Sequence, residues 1–327
     1  MRIEVLASDA TTVEADVLAL KYAQARYGLD AYVAQRLLES GHPQEIMSPK
    51  PGGFRILEGQ GVAARHVLFV GVEPLWEFEY QQIRAFARKV LVSLAGQLPD
   101  TRRLIVTVHG PGYGLDESES FESQLAGFLD AIESSDVPEG LETITFVERN
   151  RGRADRLRRL LEKTIPAGVV DHGERSWRDA AGPEASERLR AAGYSSAGKA
   201  HVFVAMPFRE DMEDVYHYGI QNAVKASGLL CERADLSSFT GDVMDWVRQR
   251  IKTASLVVAD LTGANPNVYL EVGFAWGCGV PTVLLANDAN DLKFDTRGQR
   301  CLTYTKIKDL EEKLALELNS LHKNGGV

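Results

Sequence analysis

Short apolar runs alternate with longer stretches in which apolar residues recur every three or four positions. This alternation carries through most of the chain. Residues 2–6 (RIEVL), 16–20 (DVLAL), 54–57 (FRIL) and 66–72 (HVLFVGV) are predicted as strands. Over 78–98, Ile83, Phe86, Ala87, Val90, Leu91 and Leu94 fall on one helical face. A strand at 103–108 (RLIVTV) leads through the turn HGPGYG into a helix near 117–133, followed by a strand at 141–147 and the charged helix ADRLRRLLEKT. Strands alternating with helices predict an α/β domain with a largely parallel sheet over residues 1–165.

The pattern breaks over residues 166–198, which are rich in Ala, Gly, Ser and charge and are expected to be a linker with at most one short helix. Periodicity returns over 199–327. HVFVAM, LLCERAD, SLVVADL, PTVLLA and LTYT are predicted strands, and DMEDVYHYGIQNAVKASG, GDVMDWVRQRIKTA and KDLEEKLALELNSL are predicted helices. Four or five strands with helices between them predict a doubly wound parallel sheet, so the expected fold is two α/β domains.

With 327 residues, 44% of them hydrophobic and 25% charged, the chain can bury two ordinary cores. A net charge of -9 argues against direct nucleic-acid binding and against attraction to anionic membranes. No apolar run approaches the ~20 residues a membrane helix needs, and the N-terminus lacks the pattern of a signal peptide. The three cysteines, Cys231, Cys278 and Cys301, match no metal spacing. Cys278 and Cys301 are expected as buried thiols, and the chain as a cytoplasmic protein. No metal or redox cofactor is implied.

The candidate chemistry lies in residues 265–279, NPNVYLEVGFAWGCG. Asn265 as N-cap and Pro266 at the first position start a helix expected to be wholly buried. Glu271 is its only charged residue, and no Lys or Arg lies within four positions. Asn267 and Glu271 share a face, and Asp260 ends the preceding strand. Asp260, Asn265, Asn267 and Glu271 should therefore cluster at the carboxyl edge of the sheet, where doubly wound proteins bind ligands. A buried, unpaired carboxylate can attack or stabilise an electron-poor anomeric carbon, the centre of N-glycosidic cleavage. The bland alternative is that Glu271 caps a loop or pairs with a distant arginine such as Arg297 or Arg300, and that Asp260 caps a turn.

Residues 199–322 resemble the superfamily of nucleoside 2-deoxyribosyltransferase-like and TIR-like domains. The blocks HVFVAMPF, VYHYGIQNAVKASGLLCERAD, ASLVVADLTGANPNVYLEVGFAWGCGVPTVLL and LKFDTRGQRCLTY carry that resemblance in order. It implies that Glu271 is the catalytic carboxylate, with Asp260, Asn265 and Asn267 near the sugar. The transferases carry a Tyr in their first strand, where this chain has Phe203 and Phe208. In the loop MPFREDM, Met206 and Phe208 are candidates to stack on a base, and Arg209 to meet a phosphate. Asp242, Asp245 and Trp246 read as a solvated face and a core aromatic.

In the N-terminal half, Gly110, Gly112 and Gly114 follow a buried strand and form a candidate ligand loop. A tight turn is the simpler reading, and Asp116, Glu117 and Glu119 oppose a phosphate there. His109 reads as a polar strand-end residue. DVLALKYAQ, GVAARHVLFVGV and TVHGPGYGL make this half similar to the macro-like domain of leucyl aminopeptidases, which implies ADP-ribose-type ligands or a role in assembly. The combined expectation is a nucleotide N-glycosidase with NAD as leading substrate, controlled by a nucleotide-type activator at the N-terminal domain. Fusions of this kind resemble homo-oligomeric effectors of defence against phage. A metabolic deoxyribosyltransferase or hydrolase, and a non-catalytic nucleotide-binding or scaffold module, are the alternatives.

Overall fold

The computed structural model describes residues 1–165, 181–234, 243–293, 296 and 299–323. The chain forms two compact units: Met1–Gly110 with Glu117–Ala197, and Pro111–Asp116 with Gly198–Val327. Both are α/β, as the alternation of elements predicts.

The first unit contains β1 (Arg2–Ala7), β2 (Val17–Tyr22), α1 (Gly28–Glu39), β3 (Phe54–Glu58), β4 (His66–Gly71), α2 (Tyr80–Gln97), β5 (Arg103–Val106), α3 (Glu117–Glu133), β6 (Thr143–Glu148), α4 (Arg151–Thr164) and α5 (Pro183–Ala191). The sheet order is β1-β6-β5-β2-β4-β3, parallel except for the β3–β4 pair. Val17, Leu18, Ala19 and Leu20 are fully buried, as expected of a central parallel strand covered on both faces.

Two features of this unit depart from the sequence reading. Helix α1 was not anticipated, because its buried face of Asp30, Val33, Ala34 and Leu37 includes an acid. Asp30 belongs there because it accepts a hydrogen bond from Lys21 Nζ of β2 at 2.6 Å, with both side chains buried. Part of the expected linker also belongs to this unit. The Arg84 guanidinium of α2 donates to the carbonyls of Leu189, Arg190 and Ala192 at the end of α5, and to both oxygens of Asp130. One buried cation thus satisfies helix-end carbonyls that have no partner within α5. Residues 166–180 of the expected linker lie outside the described residues.

The second unit contains β7 (His201–Ala205), a 3₁₀ turn (Glu210–Met212), a π-helix (Val215–Gln221), α6 (Asn222–Ala226), β8 (Leu230–Glu232), α7 (Val243–Thr253), β9 (Leu256–Asp260), α8 (Pro266–Gly277), β10 (Thr282–Ala286), β11 (Cys301–Thr303) and α9 (Ile307–Lys323). Its five strands are all parallel, in the order β11-β10-β9-β7-β8. The order reverses between β7 and β9, so the carboxyl ends of these two strands mark the topological switch point.

Several expectations for this unit are corrected. The single helix predicted over 211–228 is split by the π-helix, which turns Tyr216, His217, Ile220 and Gln221 inward. Gly219 lies in this turn because a Cβ there would come within 2.7 Å of Leu310 Cδ2. Helix α8 is not wholly buried: Val268, Glu271, Val272 and Ala275 face the core, while Leu270 and Trp276 are exposed. Cys278 is exposed and Cys301 half-buried, because both sit at element ends; only Cys231 is buried. The segment Pro111–Asp116, expected in the N-terminal domain, belongs here. Gly114 O accepts from the Arg233 N–H at 3.0 Å, and Asp116 Oδ2 accepts from the Cys231 N–H at 3.1 Å, covering the free edge of β8.

Candidate functional site

Helix α8 begins as its sequence predicts. The Asn265 side chain accepts from the Asn267 N–H at 2.9 Å, and Pro266 occupies the first helical position. One turn on, Glu271 is 9% exposed. Among the described residues it makes no hydrogen bond or ion pair. Arg300, one of its candidate counterions, pairs instead with Glu317 at 2.8 Å, and Arg297 lies outside the described residues. Burial alone raises the Glu271 carboxyl from 4.5 to about 7. Near neutrality it can therefore both give up and take back a proton.

The loop between β9 and α8 is held from several sides. Asp260 is fully buried, and its two oxygens are both engaged. One accepts from the Thr262 N–H at 2.9 Å and the other from the Tyr304 hydroxyl at 2.7 Å. Burial and the Asp260 charge push the Tyr304 phenol well above its usual range, so it remains a donor. Thr262 Oγ1 accepts from the Asn287 N–H at 3.0 Å, and Asp291 Oδ2 accepts from the Gly263 N–H at 2.8 Å. Gly263 and Ala264 both adopt positive φ, +74° and +51°, the second being uncommon for a residue with a side chain. Asp260 is thus the anchor of this loop rather than an open sugar ligand. Asn265 is the helix cap, and Asn267 is exposed one turn before Glu271. Sequence reasoning missed Thr262 and Tyr304. They stand two residues and one residue past the ends of β9 and β11, in DLTG and CLTY, which was the available signal.

The loop after β7 faces the same edge. Met206 is buried in the core and is not a stacking surface. Phe208 is 37% exposed. Arg209 is held by Asp211 through two hydrogen bonds of 3.0 and 2.8 Å, and its Nη1 lies against Gly263, where a Cβ would stand only 3.0 Å away. The loops after β7 and β9 therefore meet at the switch point. Beside them Arg233, directly after β8, donates to Glu213 Oε1 at 2.8 Å. His217 Nε2 lies 3.3 Å from Glu213 Oε2 without hydrogen-bonding alignment. The neighbouring His217 and Arg233 hold the Glu213 carboxyl below its ordinary range, against the effect of burial. Trp246 packs where Gly114 would otherwise carry a Cβ, 2.6 Å from the ring, which fits its reading as a core aromatic. Asp245 pairs with Arg248 at the surface, and Asp242 lies outside the described residues.

Of the three glycines of the candidate ligand loop, only Gly110 lies in the first unit, and packing accounts for it. Gly110 has φ +108°, and a Cβ there would lie 2.4 Å from Ser120 Oγ. Gly112 and Gly114 fall in the segment that joins the second unit. His109 is buried edge-on against Phe86, with ring centroids 4.7 Å apart. Burial, then the Lys21 charge, keeps it neutral. An opening elsewhere in this unit escaped the sequence reading. A cavity of about 550 Å³ lies at the carboxyl ends of β1, β5 and β6 and the start of α1, lined by Asp9, Gly28, Tyr32, Thr107, Glu148 and Arg149 among others. Hydrogen bonds from the Thr11 hydroxyl and N–H hold the Asp9 carboxyl below its ordinary range.

Among the described residues no cluster of His, Cys, Asp and Glu is arranged to hold a metal, and no helix is long and apolar enough to cross a membrane. No family model matches the chain. No curated protein matches it either. Among solved structures, the chain is similar to a Trypanosoma brucei macrodomain in complex with ADP-ribose, at 18% identity over 49% of this chain and 69% of that one, with a TM-score of 0.41. It is similar to a Clostridium botulinum CMP N-glycosidase at 22% identity over 36% of this chain and 98% of that one, with a TM-score of 0.31. An Oceanobacillus iheyensis macrodomain with MES bound matches at 15% identity over 49% of this chain and 90% of that one, with a TM-score of 0.40.

Proposed function

We propose that the second unit cleaves the N-glycosidic bond of a nucleotide, with NAD as the leading substrate, and that Glu271 is the catalytic carboxylate. The observation that carries this reading is a buried carboxylate with no partner among the described residues, in the helix that follows the switch-point loop. The sequence resemblance to deoxyribosyltransferase-like and TIR-like domains supports the same role for Glu271. In the reaction the bond from the anomeric carbon to the base nitrogen breaks, and its electron pair leaves with the base. For NAD the leaving group is neutral nicotinamide and needs no acid. The Glu271 carboxylate stabilises the oxocarbenium-like state or bonds to the anomeric carbon, and water completes the hydrolysis. Asn267 and Arg209 border the sugar and phosphate, and the anchored Asp260–Tyr304 pair keeps the loop in place.

The cavity of the first unit is the place for a nucleotide-type activator. The exposed Tyr32 offers a ring to a base, and Asp9 and Arg149 offer an acceptor and a cation. The reading includes self-association and a role in antiviral defence. Incubating the full chain with NAD, and separately with deoxynucleosides, tests it. Release of nicotinamide is the expected result. Base exchange between deoxynucleosides would move the protein to the transferases, and inertness toward both, with and without added ADP-ribose-type nucleotides, would leave a binding module.

A further inference from the structure

Arg233 is restrained far more than a loop arginine needs to be. Its guanidinium lies 3.9 Å from the centroid of the Tyr216 ring and donates to Glu213 Oε1 at 2.8 Å. Its Nη1 reaches Met206 Sδ at 3.7 Å, and its own N–H is fixed on Gly114 O at 3.0 Å. Tyr216 and Glu213 hold it from the π-helix and the residues just before it. The cation so placed lies 5.0 Å from the centroid of the Phe208 ring. Phe208 belongs to neither apolar core of the second unit, yet it stands at the switch point with 37% of its surface exposed. An aromatic ring left this open, with a fixed cation against it, is a ready surface for another flat ring.

We propose that Arg233 is a positioning residue, whose clamped guanidinium fixes the Phe208 ring as a stacking platform for the base of the bound nucleotide. This rests on the nucleotide reading above. Phe208 touches the base; Arg233 acts only through Phe208. The parallel pairing of β7 with β8, with Phe203 opposite Glu232, brings the two loops side by side. Removing either residue should therefore weaken substrate binding and leave the bond-breaking step alone.

The test is a double-mutant cycle on the full chain, with nicotinamide release from NAD as the assay and NAD binding to the Glu271→Gln background as the second readout. Phe208→Leu and Arg233→Met are each expected to raise KM about tenfold, with kcat within about twofold of wild type. The double variant should be no worse than the weaker single, because both changes remove the same stack. Arg233→Lys keeps the charge but loses the flat contact and should fall between wild type and Arg233→Met. It also serves in the cycle if Arg233→Met does not fold. An unchanged KM in the Arg233 variants, a lowered kcat at unchanged KM, or losses that multiply to about a hundredfold in the double variant would each overturn the platform while sparing the nucleotide reading. A wild-type chain that neither cleaves nor binds NAD would overturn both.

Discussion

Glu271 is a buried acid whose ionised form costs the fold stability. Its folded-state value of about 7 lies above the ordinary 4.5, so folding favours its protonated form. The stabilisation is complete below about pH 4.5 and is lost as pH rises toward 7, where the unfolded chain has already released the proton. Glu271→Gln removes that loss. The variant is expected to melt higher than wild type at pH 8, by at most about 3 kcal/mol in stability, with the gap closing below pH 4.5. Paired thermal melts across this range check it. A gap that does not change with pH would mean that the carboxylate already has a partner. Tyr304 and Asp260 show the opposite condition, a buried donor and acceptor that satisfy each other, and their place is to hold the loop.

At the scale of elements, what could be read in the sequence was what local pattern encodes. The two-sided burial of VVAD and HVFVA gave their strands, and Asn265–Pro266 gave the start of α8. The hidden features depend on partners outside the local stretch that forms each element. Helix α1 carries an acid on its core face for the sake of Lys21, the π-helix packs its Gly219 closely against Leu310, and α5 is tied down by Arg84. Arg233 and Tyr304 reach the candidate site through the strand order β11-β10-β9-β7-β8, which no local stretch announces. The Lys21–Asp30 pair yields a sharp prediction. Asp30→Asn leaves a buried cation without its carboxylate and should cost about 3–5 kcal/mol in urea denaturation, whereas Lys21→Met with Asp30→Leu should cost much less. Equal losses in the two proteins would show that the pair is not a closed unit.

For the whole molecule, the first unit has a cavity of about 550 Å³ at the carboxyl edge of its sheet and the second has its topological switch point at the corresponding edge, and the overall charge of -9 leaves anionic nucleotides to be held by local groups. The first-unit cavity should bind an ADP-ribose-type nucleotide, and Tyr32→Ala should weaken that binding about tenfold in calorimetry, the loss of one stacked base. Equal affinity in the variant would place the ligand elsewhere. The buried acid of α8 is the centre of the proposed chemistry. Its most direct test is nicotinamide release from NAD by the full chain, measured in parallel with NAD binding, for wild type and Glu271→Gln with ADP-ribose-type nucleotide present. The expected result is turnover by wild type and none by the variant, with binding retained in both. Turnover by the glutamine variant at the wild-type rate would contradict it.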